Sequence, residues 1–250
     1  MTGALRRIGL IGLSVLGFLA VWQLIVVVGG YPEYILPAPG VVLTRGVEAV
    51  QNGTLQPHLA ATLEESVLGF AVGATIAVLV GIMLAKSLTA ERVLSPYLVA
   101  AQAIPILALA PLIDIWFGGG LTARVVVCAL IVFFPIAIAT MVGIRGTDPL
   151  LVEMARANGA RGSQVTRLLE LPSALPVLFG GLRVGVTLAV IGAVVAEWTG
   201  ASIGLGVLIN IADQGLFDTP LMFVALGTLA LLGLTFYGVV LLAERALVPR

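Results

Sequence analysis

Six stretches of about twenty mostly apolar residues run through this chain, and their length limits what it can fold into. An α-helix needs roughly 20 apolar residues to cross the hydrocarbon core of a bilayer. Only 10% of the residues are charged, whereas a soluble domain has roughly 25%. Because backbone groups in lipid must be paired internally, the expected fold is an all-α polytopic membrane protein with about six transmembrane helices. The stretches are 8–28, 67–85, 94–115, 124–143, 182–203 and 221–243.

The lysines and arginines predict how these helices are oriented, because cytoplasmic loops are enriched in both. With the N-terminus inside, only Arg45 and Arg124 of the 13 basic residues fall outside. Both termini and the polar segment 145–181 are therefore expected to be cytoplasmic, and 29–59 and a turn at 202–220 to be outside. The basic residues on the inside are Arg6, Arg7, Lys86, Arg92, Arg145, Arg156, Arg161, Arg167, Arg183, Arg245 and Arg250.

The outer segment 29–59 is rich in proline, which fixes φ and stops helices. It is expected to form an irregular, extended cap over the first span, and it also offers a surface to an external partner. His58 is expected to be a solvated residue of this segment, with no cluster of metal ligands around it. Cys128, the single cysteine, is expected to be a buried, inert thiol.

The polar segment after the fourth stretch predicts two short helices. Asp148 is a typical N-cap, and Pro149 fits the first helical position. Gly159 is expected to end this helix in the left-handed conformation that a C-terminal cap requires. Ser163 can cap a second helix, which Pro172 is expected to end.

Each of these short helices is predicted to have one apolar and one charged face. Leu150, Met154 and Ala157 share a stripe of the first helix at helical spacing, with Glu153 and Arg156 on the other side. Helices this short are marginal alone and need a surface to pack against. Two alternatives stay open from the residues themselves: a loop that caps its own bundle, or a loop that enters the groove of a partner protein.

Residues 153–172, EMARANGARGSQVTRLLELP, resemble the EAA loop of binding-protein-dependent ABC importer permeases. That pattern reads E-A-A, three residues, Gly, nine residues, an aliphatic residue, any residue and Leu-Pro. Met154 replaces the second residue of the triplet, and the remaining spacing fits. By this resemblance, the residues that couple to the ATPase are Glu153, Ala155, Gly159, Arg161, Leu171 and Pro172.

The resemblance extends over almost the whole chain from about residue 30. The phrases IPILALAPL (104–112), FFP (133–135), AEW (196–198) and GLG (204–206) are similar to the branch that includes nitrate, sulfonate, taurine, riboflavin and thiamine-precursor permeases. It implies a type I ABC importer permease architecture. Residues 1–250 would form a single permease domain in the bacterial inner membrane, with 145–181 as its cytoplasmic coupling loop.

The resemblance also implies the partners of the chain. No G-x-x-x-x-G-K-[ST] phosphate-binding loop occurs, so ATP is expected to be bound and hydrolysed by a separate cytoplasmic ATPase dimer. No cofactor or metal is expected in this chain, which is interpreted as a transport subunit and not an enzyme. The other implied partners are a second permease copy, expected to be identical, and an extracytoplasmic substrate-binding protein; no nucleic acid is expected.

The expected substrate is riboflavin or a pyrimidine precursor of thiamine, and a sulfonate, taurine or nitrate is the alternative. No Lys or Arg lies well inside a predicted span, which favours a neutral or weakly charged solute. A membrane enzyme is disfavoured because the chain has one histidine, one cysteine and no H-E-x-x-H motif.

Two acidic residues fall within the predicted spans, where an ionisable group is costly and often marks a pathway. Asp114 either meets water at the outer end of the third span or faces the interior of the dimer. Glu197 is interpreted as a structural carboxylate bonded inside the bundle, or one near the permeation gate. A proton-coupled secondary transporter, with these carboxylates as relay, is the further alternative.

Prolines and glycines inside the spans predict local features of helix packing. Pro105, Pro111 and Pro135 can kink their helices, because each removes a backbone donor. Gly180, Gly181 and Gly185 are expected to let another helix approach closely.

Overall fold

Every regular element is helical in residues 2–248, the part of the chain that the computed structural model describes. Side chains are described for these residues apart from positions 2–5, 7, 8, 11 and 95. Arg250 and the side chain of Arg7, both counted among the cytoplasmic basic residues, lie outside the described part. The helices are α1 Thr2–Gly29, α2 Pro39–Gln51, α3 Leu55–Lys86, α4 Leu88–Ala103, α5 Ile106–Phe117, α6 Gly120–Arg145, α7 Pro149–Ala157, α8 Gly162–Val165, α9 Leu171–Glu197, α10 Leu205–Asn210 and α11 Thr219–Leu247, with π-helical turns at Thr166–Glu170 and Ile211–Gly215.

Five segments of the described chain are long and apolar enough to cross a membrane, and α4 with α5 makes a sixth if the pair counts as one span. The expected number of about six is therefore confirmed. The third stretch, 94–115, is not one continuous helix, because α4 and α5 meet at an angle of 99°. Pro105 causes the break: it lacks an N–H group and holds Ile104 in an extended conformation. The five segments are Gly12–Gly29, Leu55–Lys86, Gly120–Arg145, Gly162–Glu197 and Thr219–Leu247.

The predicted starts of the second and fifth spans were too late. α3 begins at Leu55 and α9 at Leu171, because α3 continues into the polar sequence before residue 67 and α9 continues through the segment LPSALP (171–176), whose prolines do not end it. His58, expected in a solvated loop, is consequently a half-buried residue in the first turn of α3. Its Nδ1 atom lies 2.6 Å from the carbonyl oxygen of Gly204.

Both long segments expected to be irregular contain helix. In the segment 29–59, Pro39 stands in the first turn of α2 and so starts a helix where an extended cap was expected. In the segment 202–220, α10 and a π-helical turn replace the expected turn. The two parts pack together through Ala49, Leu208 and Ala212, which share one buried cluster with α11.

The core of the bundle is formed by α3, α6 and α9, and small residues set the distances between these helices. Gly69, Gly73 and Gly81 lie along one stripe of α3, because they recur every four or eight residues. A Cβ atom on Gly73 would stand 2.7 Å from the backbone oxygen of Ala129 on α6. Cys128 is fully buried at this contact, so the expectation of a buried thiol is confirmed.

The α6–α9 contact uses two of the three glycines that the sequence singled out. A Cβ atom on Gly181 would lie 2.5 Å from Cβ of Ala139, and one on Gly185 would lie 2.7 Å from Cδ1 of Ile136. Gly180 has nothing within 4 Å of such an atom. The packing role is confirmed for Gly181 and Gly185 only.

α1 lies at the edge of the bundle, and no residue of its span, Gly12–Gly29, is buried. It meets α11 through Trp22, whose ring centroid is 5.6 Å from that of Phe223. The polar segment 146–170, here named the loop segment, marks one end of the bundle as the loop end. The other end, where α9 runs into α10, is named the opposite end.

Candidate functional site

The loop segment begins with a capped helix, as its sequence predicts. Asp148 is the N-cap of α7, and its carboxylate accepts a hydrogen bond from the N–H of Leu150 at 2.9 Å. Pro149 occupies the first turn, where no helical N–H is required. The start of α7 is therefore fixed by local sequence alone.

The end of α7 is closed by a glycine in the left-handed conformation. Gly159 has a φ of +83°, and its N–H donates to the carbonyl of Arg156 at 2.9 Å. The N–H of Ala160 donates to the carbonyl of Ala155 at 3.0 Å. These two bonds form a Schellman motif, so the predicted end of the helix is confirmed. Ala155 and Gly159, two of the expected coupling residues, are parts of one cap.

The apolar stripe of α7 is not covered by the described chain. Leu150 is 72% exposed and Met154 is 62% exposed. Glu153 and Arg156, on the charged side of the helix, are also exposed. Both faces of α7 are therefore open to a partner, whereas Val165 and Glu170, in the second half of the loop segment, are buried against the chain itself.

The second half of the loop segment differs from the predicted helix that Pro172 ends. Arg161, not Ser163, is the N-cap of α8, and its N–H donates to the side-chain oxygen of Gln164 at 2.7 Å. The helical path then continues through the π turn into α9, and Pro172 lies in the first turn of α9. A π turn is wider than an α turn; here the N–H of Leu171 reaches the carbonyl of Thr166. This widening accommodates the proline ring without ending the helix.

Two ion pairs that the sequence did not reveal brace the loop end. Lys86, at the end of α3, pairs with Glu170, which is buried in the π turn. Arg145, at the end of α6, pairs with Glu91 at 2.8 Å and donates to the carbonyl of Leu84 at 2.8 Å. In sequence these lysine and arginine residues indicated only orientation; their position at helix ends, beside free carbonyls, was the available signal.

The Lys86–Glu170 pair, here named the brace, lines a charged cleft of about 270 Å³ together with Arg145 and α7. Lys86 and Arg145 line one side of it, and Glu153 and Arg156 line the other. Of the other expected coupling residues, Arg161 is exposed, Leu171 is half-buried and Pro172 is exposed. Glu153, Ala155 and Gly159 thus stand together on α7 and its cap, whereas Leu171 and Pro172 lie across the loop segment at the start of α9.

A second polar group, at the opposite end, surrounds Glu197. This residue is the last of α9 and is 1% exposed. Its carboxylate accepts hydrogen bonds from the hydroxyl of Thr62 and from the N–H of Gly206, both at 2.5 Å. Thr62 in turn accepts from the N–H of Leu205 at 2.8 Å. Glu197 therefore ties the start of α10 to α3, and Gly204 leaves room for the carboxylate because it has no Cβ atom.

Next to this group lies a buried ion pair that the sequence did not predict. Glu65 of α3 and Arg124 of α6 approach to 2.8 Å, and Glu65 is 1% exposed. Because Glu65 preceded the predicted second span and Arg124 stood at a span end, neither was recognised as buried. Glu197 and Glu65 are the two buried carboxylates at this end of the described chain.

Asp114 stands apart from the Glu197 group, one turn before the end of α5. It is half-buried and lies beside Gly200, where a Cβ atom would come within 2.8 Å of its Oδ2 atom. In the part of the chain that the structure describes, Asp114 shares no hydrogen bond with Glu197, although both lie near the segment that follows α9. No group of three or more metal-binding side chains occurs in the part of the chain that the structure describes.

Comparison with known proteins identifies the family. Residues 77–249 match the family of binding-protein-dependent transport system inner membrane components. The riboflavin transport system permease protein RibX of Chloroflexus aurantiacus is 50% identical over 92% of this chain and 85% of its own length. The formylaminopyrimidine transport permease protein ThiX of Halalkalibacterium halodurans is 35% identical over 92% of this chain and 91% of its own length. The putative aliphatic sulfonates transport permease protein SsuC of Bacillus subtilis is 34% identical over 92% of this chain and 83% of its own length.

The fold agrees with this assignment. A chain of the inward-facing MetNI methionine ABC transporter superposes with a TM-score of 0.69, covering 77% of this chain and 95% of that one at 23% identity. This likeness supports the type I importer permease architecture. The family works with an ATPase and a substrate-binding protein, and its members are transport subunits of the inner membrane and not enzymes. This chain belongs to the family of binding-protein-dependent transport system inner membrane components, as a multi-pass permease subunit of an ABC importer.

Proposed function

We propose that the solute carried by this permease is riboflavin. The observation that carries the proposal is the 50% identity with the riboflavin permease over nearly the whole chain, well above the 35% and 34% shared with the formylaminopyrimidine and sulfonate permeases. The absence of Lys and Arg well inside the predicted spans also favours an uncharged solute. Riboflavin carries no formal charge at neutral pH.

The loop end is proposed to lie in the cytoplasm and to dock the ATPase through α7. The supporting features are the concentration of basic residues at this end and the exposed stripe of Leu150 and Met154. The brace of Lys86 and Glu170 joins the loop segment to α3, so a push on α7 can be transmitted to the bundle. The proposed coupling residues are Glu153, Ala155, Gly159, Arg161, Leu171 and Pro172.

The remaining assembly follows from the same proposal. Two identical copies of this chain form the membrane part, each docks one subunit of an ATPase dimer, and ATP is held by the ATPase and not by this chain. An external substrate-binding protein delivers the solute at the opposite end. Asp114, half-buried at that end, is the better placed of the two acidic residues to contact the solute, and Glu197 is proposed to hold α10 in place.

Uptake by the purified complex in proteoliposomes tests the proposed substrate. The complex of permease, ATPase and binding protein is expected to accumulate labelled riboflavin only when ATP is supplied to the ATPase side. Excess taurine, an alkyl sulfonate, nitrate or formylaminopyrimidine should not compete. Competition by one of these solutes, or ATP-dependent uptake of it without riboflavin uptake, would assign that solute instead. Uptake that needs no ATP but collapses with the proton gradient would favour the secondary transporter.

A further inference from the structure

A cleft lies beside the break between α4 and α5, about halfway along α6 and α9. This cleft, here named the mid-span cleft, has a volume of about 450 Å³. It reaches α6 at Pro135 and α9 at Leu188, both well inside their helices. The residues at its wall that the argument uses are Gln102, Pro105, Ile131, Phe134, Pro135 and Leu188.

The wall of the mid-span cleft carries polar backbone at a depth where lipid supplies no hydrogen bonds. Pro135 has no N–H group, so the carbonyl of Ile131 loses its helical donor. The turn at Ile104–Pro105 interrupts the helix there. Irregular backbone at membrane depth is tolerated only where protein covers it or where it borders a water-filled cavity. The cleft must therefore face a partner or an aqueous path.

The side chain of Gln102 also indicates that the mid-span cleft does not face lipid. It is the one polar side chain among the residues that line the cleft, all of which are described, and none of them is charged. Gln102 is exposed on the single chain, and a polar side chain in a span is costly when it faces lipid. An amide both donates and accepts hydrogen bonds, so it suits an uncharged ring with carbonyl and N–H groups.

We propose that the mid-span cleft is a solute-binding site on the translocation path. There the amide of Gln102 hydrogen-bonds a neutral heterocyclic solute, which packs against an apolar wall that includes Phe134. The inference rests on the proposed function, because it takes the solute to be uncharged. It assigns the solute-contacting role in the membrane to Gln102, whereas Asp114 and Glu197 lie outside the cleft.

Introduced cysteines test this assignment without relying on transport. The only native cysteine is buried, so background labelling is low. Gln102→Cys, in the complex with ATPase and binding protein, is expected to react with a membrane-impermeant hydrophilic maleimide in open membrane fragments. Leu234→Cys, on the exposed face of α11, is the lipid-facing control and should not react. Riboflavin loaded on the binding protein, with ATP, should slow labelling at position 102 by about threefold or more.

Transport by the apolar variant gives the second readout. One hydrogen bond contributes about two- to tenfold, so Gln102→Leu should lower riboflavin uptake per ATP hydrolysed by about that factor. Gln23→Leu, on α1 at the edge of the bundle and away from the cleft, is the matched control because Gln23 is also an exposed glutamine of a span. It should keep the parent ratio. The mass of the purified complex shows whether Gln102→Leu lowers uptake by weakening the permease dimer instead.

Three results would overturn the proposal. The first is that position 102 is not labelled. The second is that riboflavin does not slow the labelling although the parent imports riboflavin, and the third is an unchanged uptake ratio in Gln102→Leu. Loss of the permease dimer in Gln102→Leu would also overturn it, because the amide would then join two helices. If the parent complex does not import riboflavin, the proposed substrate is wrong, and the hydrophilic labelling of position 102 alone decides the inference.

Discussion

At the scale of single residues, the bonds of Glu197 lead to a stability prediction. Glu197→Ala removes one acceptor of the Thr62 hydroxyl and the acceptor of the Gly206 N–H. The Gly206 N–H is then buried without a partner, whereas the Thr62 hydroxyl keeps the carbonyl of His58 at 3.1 Å. An unpaired buried donor costs about 1–3 kcal/mol, so the variant should unfold at a lower temperature in detergent. Glu197→Gln keeps one acceptor oxygen and should lose less. Equal unfolding temperatures for Glu197→Ala and the parent would contradict this account of the Glu197 group.

A second residue-scale prediction concerns the two adjacent glycines of α9. Gly181→Leu places side-chain atoms against Ala139 and the backbone of Pro135 on α6, and overpacking costs about 1–3 kcal/mol or more. Gly180→Leu adds the same volume where nothing lies within 4 Å. Only Gly181→Leu should lower the yield of folded protein and its unfolding temperature. Similar losses in both variants would show that the close α6–α9 approach is not what requires glycine.

Single positions were predictable from sequence where the cause is local. Asp148 and Gly159 cap α7 as expected, because a cap depends on a few neighbouring residues. His58 was misjudged and Glu65 was not recognised, because their burial depends on α9, α10 and α6, which are distant in sequence. Such long-range partners leave no periodic signal near the residues themselves.

At the scale of elements, the loop segment should depend on its brace. Lys86→Met leaves the buried carboxylate of Glu170 without its cation, and breaking a buried pair by removing one partner is destabilising. The π turn should then open more often, and a protease should cut within 146–170 faster than in the parent. Arg167→Met, which removes an exposed arginine of the same turn, is the control and should be cut at the parent rate. Equal cutting of Lys86→Met and the parent would show that the brace is not needed.

The existence of the long helices was predictable from apolar length, but their ends were not. Hydrophobic stretches report the part of a helix that lies in lipid, so they missed the polar first turns of α3. The start of α9 was missed because Pro172 and Pro176 interrupt the apolar pattern there. The two errors over proline, at Pro39 and Pro172, have one cause. Proline is accepted in the first turn of a helix, and each stands in such a turn.

At the scale of the whole molecule, orientation is the property that the assembly most depends on. Ser163→Cys marks the loop end and Gln214→Cys marks the opposite end; both positions are exposed. In intact cells made permeable only in the outer membrane, an impermeant maleimide should label Gln214→Cys, and Ser163→Cys only after lysis. Buried Cys128 provides little background. The reverse pattern would place the loop end outside and contradict ATPase docking there.

The architecture as a whole was predictable because several kinds of signal agreed. Apolar length, basic residues and the pattern of residues 153–172 all indicated a permease, and the family match confirms it. The mid-span cleft was not predictable, although Pro105 was expected to kink its helix. A 99° break depends on how α4 packs against α3 and α5 against α6, and one proline does not specify that angle.

Co-purification of the ATPase tests the central claim most directly. The tagged chain is isolated from its native membranes in mild detergent, beside Gly159→Asp. Gly159 has a positive φ, which Asp tolerates better than most residues, and a Cβ atom there meets nothing within 4 Å, so the bundle should stay folded. The account predicts a stoichiometric soluble ATPase with the parent and its loss from the variant, with equal unfolding temperatures of the two permeases. Equal ATPase recovery with both chains would contradict docking at this cap, and no ATPase with the parent would contradict the importer assembly itself.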